Sequence, residues 1–128
     1  MAALVAGDFD SEEVFKRQLT ANDMKEPSRL YIKKSPACKI CPEAFGSTPE
    51  ETYTRDLHLY DAGFKPWPMA FHRRGNKCYL TQGWGDFITA NKLSQGDTIR
   101  IHVLTSKRGT GERFFMIGRV MVAGVLIG

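Results

Sequence analysis

Cysteine is scarce in this chain of 128 residues. There are three, Cys38, Cys41 and Cys78, an odd number that argues against a disulfide framework and for a reducing compartment. The opening MAALVAGD lacks the basic first region and long apolar core of a secretory signal. The apolar stretch over residues 120–127 falls far short of the ~20 residues that span a bilayer. A soluble intracellular domain is expected, with no internal repeat and no low-complexity segment. Metal chemistry is also thin. Cys38-x-x-Cys41 has the spacing of half a zinc knuckle, but the second pair is missing, and only Cys78 and three scattered histidines remain. No strand of a βαβ unit leads into the pair, as a redox motif would require. Cys38 and Cys41 therefore read as half-buried helix residues and Cys78 as core. Nor is there a catalytic set. His58, His72 and His102 fall on different elements, without a nucleophile motif beside any of them. Gly109-Thr110-Gly111 lacks the Gly-Lys-Ser/Thr that gives a phosphate loop its mechanism, so residues 105–113 read as a hairpin loop. No enzyme is expected.

What is present describes one globular domain. Hydrophobic residues at 42% and charged residues at 25% fit a folded chain and not a disordered one. The length suffices for one packed core and not two. A net charge of +4 favours an anionic partner without proving one. Residues 1–13 read as an N-terminal tail, 14–120 as the domain and 121–128 as a C-terminal tail or edge strand. A first strand is expected over residues 14–19, then a polar break over 22–28, then an extended run over 30–32. Ser35-Pro36 looks like a helix start, with the helix over 37–40 stopping at Pro42. Residues 46–51 read as a loop. Leu57 and Leu59 alternate with polar neighbours, and Trp67, Met69 and Phe71 share one strand face. Trp84, Phe87 and Ile88 fall on one helical face. Ile99, Ile101 and Val103 point inward from a clean alternation, and a last strand is expected over 114–121. Seven or so strands and two short helices point to a small barrel or sandwich.

One stretch stands out: AFHRRGNKCYLTQGW, residues 70–84. Two strand-like pieces flank a turn rich in positive charge and hydrogen-bond donors. If the strand carrying Trp67, Met69 and Phe71 continued, Arg73 would point inward. An unpaired buried guanidinium is too costly, so the strand is expected to end or bend near His72, with the chain reversing at Gly75-Asn76. Arginine forks suit guanine edges and phosphates, and the Asn76 amide suits adenine. A solvated loop is the ordinary alternative.

Read together, LTANDMKEPSRLYIKK (residues 19–34), Trp67 and YLTQGWGDFITANKLSQGDTIRI (residues 79–101) resemble the B3 DNA-binding domain of plant transcription factors. The likeness extends over about residues 14–120, and its most specific part is the YLTxGWxxFxxxxxLxxGDxIxI pattern. It implies a mostly β (α+β) fold, a seven-stranded open β pseudobarrel with two short helices. It implies double-stranded DNA as partner, gripped in the major groove by two arms, here residues 22–29 and 72–77. It also implies transcription regulation in the nucleus, with no catalysis, metal or cofactor. Arg73, Arg74 and Asn76, with Arg29 and Ser28, would then reach base edges. Lys25, His72 and Lys77, with Lys33 and Lys34, would position phosphates. The first arm departs from the common family pattern: Glu26 replaces a lysine, Ser28 an asparagine and Lys33 a proline. Glutamate can accept from a cytosine amino group, which would retune specificity. The altered arm also permits a rival, a B3-like fold acting as a protein-interaction module or non-specific DNA binder. A second rival is a small zinc or redox protein built on Cys38 and Cys41. The apolar residues 121–128 leave a protein partner or homodimer open.

Overall fold

Alternation of apolar and polar side chains decides where the strands run and which side faces the core. The computed structural model describes residues 9–25, 29–45, 52–109 and 113–120. Its strands are β1 (Phe9–Gln18), β2 (Leu30–Ile32), β3 (Thr52–Tyr60), β4 (Pro66–Arg74), β5 (Lys77–Leu80), β6 (Thr98–Ser106) and β7 (Arg113–Arg119). They form one seven-stranded sheet in the order β1-β6-β7-β3-β4-β5-β2, a nearly closed barrel with β1 and β2 at its two edges. The pairings are antiparallel except between β3 and β7, which run parallel at Leu59–Phe115 and Tyr60–Met116. Leu57, Leu59, Trp67, Met69, Phe71, Ile99, Ile101 and Val103 are all buried, as their alternation predicts. Each such aliphatic or aromatic side chain contributes roughly 1.5–3 kcal/mol on burial, so the strands hold together through this shared interior.

Three helices, α1 (Ala21–Met24), α2 (Lys34–Ile40) and α3 (Trp84–Ala90), and a 3-10 turn at Pro42–Phe45 complete the described chain. Trp84, Phe87 and Ile88 are buried on one side of α3, and Trp67 meets the Phe87 ring edge-on at 5.2 Å. The glycine before α3 is required sterically. Gly83 has φ 98°, and a Cβ there would lie 1.9 Å from the Pro68 carbonyl oxygen. Gly96 and Asp97 extend the β1–β6 ladder: Gly96 N–H donates to the Leu19 carbonyl at 2.9 Å and Leu19 N–H to the Asp97 carbonyl at 2.7 Å.

Four expectations change. β1 begins at Phe9, inside the stretch read as tail, because β6 supplies partners out to Ser106 and Phe9 packs against Phe114 at 5.5 Å. A register shift between Glu13 and Phe15 then lets Phe15 enter the core while Val14 packs against it. The polar break contains a helical turn, α1, closed by Asp23: its carboxylate accepts from the Thr20 N–H at 2.8 Å and the Thr20 hydroxyl at 3.1 Å. α2 starts at Lys34 after an extended Lys33, so Ser35-Pro36 lies within its first turn and is not its cap. Proline is tolerated there because first-turn N–H groups have no partner inside the helix. Finally, β4 does not end at His72 but runs on to Arg74. The loop expected over residues 46–51 and the tail over 121–128 lie outside the described residues.

Candidate nucleic-acid interface

The first arm is anchored from below. Arg17 donates to both carboxylate oxygens of Asp23, from Nε at 2.9 Å and Nη2 at 2.8 Å. The indole N–H of Trp84 donates to the Asp23 carbonyl at 2.8 Å. The most buried tryptophan thus ties α3 to the one-turn helix that opens the arm. Burial acts to raise the Asp23 carboxyl, but the Arg17 hydrogen bonds, the Thr20 N–H, the Arg17 charge and the Thr20 hydroxyl together hold it below the ordinary carboxylate value. Lys25 follows α1 in extended backbone with its side chain exposed. Ser28, like Glu26, lies outside the described residues. Arg29 is exposed, with its guanidinium 5.0 Å from the Tyr79 ring centroid.

The second arm is the β4–β5 hairpin. Arg74 pairs with Lys77, leaving Gly75-Asn76 as a two-residue tip. Gly75 takes φ 61° there, the positive angle that a type II′ turn needs at its first central position. Arg74, Asn76 and Lys77 are exposed. Arg73 is not. Its side chain is only 3% exposed, it donates from Nε to the Ala44 carbonyl and from Nη1 to the Gly75 carbonyl, and it lies over the Phe45 ring. Expected among the base-reading side chains, Arg73 here has its guanidinium turned inside and not towards the outer face. The expected cost of burial assumed no partner; the 3-10 turn and the hairpin tip supply carbonyls, so β4 keeps its register and Arg73 braces the hairpin from inside.

Cross-strand pairing brings the two arms to one face. Tyr31 pairs with Tyr79, Tyr79 with His72, and His72 with Thr54, one row across β2, β5, β4 and β3. His72 stacks on Tyr79 with centroids 5.3 Å apart, and its Nδ1 lies 3.0 Å from the Thr54 hydroxyl. By strand parity Arg74 and Lys77 belong to the same outward side as His72 and Tyr79. Arg29, over Tyr79, joins them from the first arm. Among the described residues no carboxylate oxygen lies within 4.0 Å of Arg29, Arg74 or Lys77. Lys34 approaches the Phe45 ring at 6.0 Å. Sequence reading missed Asp23, Tyr31, Thr54 and Tyr79. Period-two alternation places a tyrosine outside a strand, but which residue sits across from it is set by sheet register.

The other candidate chemistries look different. Cys41 and Cys78 are buried, and burial pushes both thiols up, away from the thiolate that redox or metal chemistry uses. Tyr53, beside Cys41 and likewise desolvated, is pushed up to about 12.

A model of the B3 DNA-binding domain matches residues 15–119. Among curated proteins, B3 domain-containing protein Os11g0156000 of Oryza sativa subsp. japonica is 26% identical over 110 residues, covering 84% of this chain and 39% of that protein. The AP2/ERF and B3 domain-containing transcription factor At1g51120 of Arabidopsis thaliana is 24% identical over 122 residues, covering 85% of this chain and 35% of its own. The chain thus spans little more than a third of the length of either relative. Among solved structures, the Arabidopsis FUS3–DNA complex superposes with a TM-score of 0.61 at 21% identity, covering 88% of this chain and 100% of that one. The Arabidopsis thaliana LEC2–DNA complex superposes with a TM-score of 0.62 at 16% identity, covering 88% and 98%. A barrel of this topology and a family match over most of its length make this chain a member of the B3 DNA-binding domain family.

Proposed function

We propose that this chain binds double-stranded DNA in the major groove between its two arms, selectively for sequence, as the DNA-reading part of a nuclear transcription regulator. The observation that carries the reading, within this family, is the face shared by Arg29, Arg74 and Lys77. Among the described residues these three cations have no carboxylate partner, and they stand on a sheet and hairpin. Phosphates would supply a counter-charge to such a face.

The side chains divide by chemistry. Arg74 and Asn76 at the hairpin tip, with Arg29 and Ser28 from the first arm, are the readers of base edges. The arginine fork matches guanine O6 and N7, and the asparagine amide matches adenine N6 and N7. Lys25, Lys77 and His72 are the phosphate contacts. With Nδ1 of His72 held at Thr54, Nε2 is the ring nitrogen left to meet a phosphate oxygen. Arg73 acts through the hairpin and touches no base. Recognition needs no bond made or broken, and no catalytic role is assigned to any residue.

Selection from a pool of random duplexes, sequenced at two salt concentrations, tests this. One short motif enriched at both concentrations is the expected result. Binding without enrichment that collapses as salt rises would reduce the site to phosphate contact. An absence of binding at both concentrations would leave a protein-interaction module in its place.

A further inference from the structure

Tyr31 is the large hydrophobic side chain left exposed among the described residues, at 44%. Its neighbours Leu30 and Ile32 are buried, so strand parity and not a distorted backbone turns it outward. A single exposed apolar group is ordinary on a protein surface and carries nothing alone. Its surroundings are what matter. The ring is braced by Tyr79, with centroids 5.4 Å apart, and Tyr79 is in turn stacked on His72. An ordered aromatic strip thus crosses β2, β5 and β4. Arg29 lies over its middle ring, Tyr79, and on the same side of the hairpin stand Arg74 and Lys77, cations with no described carboxylate partner.

An aromatic strip beside cations that lack a carboxylate partner among the described residues has a specific complement. In the major groove the bases present one apolar group, the C5 methyl of thymine, between two phosphate rails. A braced ring contributes contact area without losing rotamer freedom on binding. We infer that Tyr31 is a specificity residue whose ring packs on a pyrimidine C5 methyl at one position of the bound duplex, an inference that rests on the DNA-binding reading above. The ring and not its hydroxyl makes this contact, so phenylalanine can replace it. The preference is for thymine over any pyrimidine that lacks the methyl.

The test uses the duplex motif selected by the wild-type chain, with each thymine replaced singly by deoxyuridine, which removes the methyl and keeps the hydrogen-bonding edge. At one position the wild type should lose about fourfold in affinity, the worth of one buried methyl-sized group. Tyr31→Phe should keep that ratio, and Tyr31→Ala should bring it to about one. Tyr31→Ser serves as a second truncation, with thermal unfolding of each variant confirming that the fold is retained. A ratio that survives both truncations overturns the inference. So does a wild-type ratio near one at every thymine, or a selected motif without thymine; in these three cases selective DNA binding still stands. A wild-type chain that binds no duplex removes the DNA-binding reading and this inference together.

Discussion

Cations at the two ends of the sheet are treated differently. Around β1, β6 and β7 they are mostly engaged. Arg17 holds Asp23 at 2.8 Å, Arg100 meets Glu13 at 3.6 Å, Lys107 meets Asp10 at 3.7 Å and Arg119 meets Asp97 at 3.8 Å. Lys39 pairs with Glu12, and Arg113 donates to the Lys39 carbonyl; Lys16 has no carboxylate partner among the described residues. Around β2, β5 and β4, Arg29, Arg74 and Lys77 stand exposed without a described carboxylate within 4.0 Å. The Glu12, Glu13 and Asp10 pairs are exposed and contribute little to stability, whereas the Arg17 pair holds a buried carboxylate. The difference between the two ends bears on the field outside the protein. Paired charges cancel within a few ångströms, whereas a cluster of one sign on a rigid face attracts an anionic partner.

Within the second arm the same contrast separates two adjacent arginines, and it gives the largest predicted effects. Arg73→Ala removes the donor to the Ala44 and Gly75 carbonyls, and the buried Ala44 acceptor left unsatisfied costs ~1–3 kcal/mol. Urea denaturation should show that loss. An unchanged midpoint together with a changed selected motif would instead make Arg73 a reader and break the contrast. Arg74→Ala should do the opposite. Binding to the selected motif should weaken by ~1–3 kcal/mol, with discrimination relaxed at one position, while the denaturation midpoint stays within about 0.5 kcal/mol of wild type. Titrations against the motif and its single-base variants would show this, and uniform weakening across all variants would reassign Arg74 to a phosphate.

How far the sequence speaks follows from these residues. Inward positions on β3, β4 and β6 were legible because period two depends on nothing but the local chain, and the Gly75-Asn76 tip because its turn needs a positive φ that glycine provides. The fate of Arg73 was half legible. Parity placed it inside, but the carbonyls that accept from it belong to Ala44, 29 residues earlier, and to the tip itself. The start of β1 depended on the length of β6, and α1 depended on Asp23 finding Arg17 and Trp84. Long-range partners such as these leave no periodic trace. The family pattern carried the rest, since its Gly-Trp pair marks both the close approach of Gly83 to Pro68 and the hook that holds the first arm.

That hook yields a pH prediction for the engaged side. The Asp23 carboxyl is held below its ordinary value of 3.8 in the folded chain. The unfolded chain therefore takes up a proton first as pH falls. The stabilisation from this group is complete above pH 3.8, and it is lost as pH drops from there through the lower folded value. Denaturation midpoints measured on either side of pH 3.8 should show wild type losing more stability than Asp23→Asn over that interval. Equal losses would mean that Arg17 and Thr20 do not hold the carboxylate. Because Asp23 opens the first arm, the same substitution should weaken DNA binding at neutral pH by loosening Arg29 and Lys25, though less than Arg74→Ala does.

The smallest effect tests whether location or mere lack of a partner makes a cation useful. Glu13→Gln on β1 frees Arg100 on the neighbouring β6, at the other end of the strand order from β2. Both side chains are about two-fifths exposed, at 41% and 40%, so the lost pair should cost under about 1 kcal/mol of stability. The net charge rises by one, which at low salt pulls any polyanion slightly closer. At physiological ionic strength the screening length is only ~8 Å, so if Arg100 stands outside the bound face its freed charge should leave affinity for the selected duplex unchanged. A gain comparable to the loss from Arg74→Ala would mean that DNA responds to unpaired cations wherever they stand. An unchanged affinity would tie binding to the face where Arg29, Arg74 and Lys77 stand together without a described carboxylate partner.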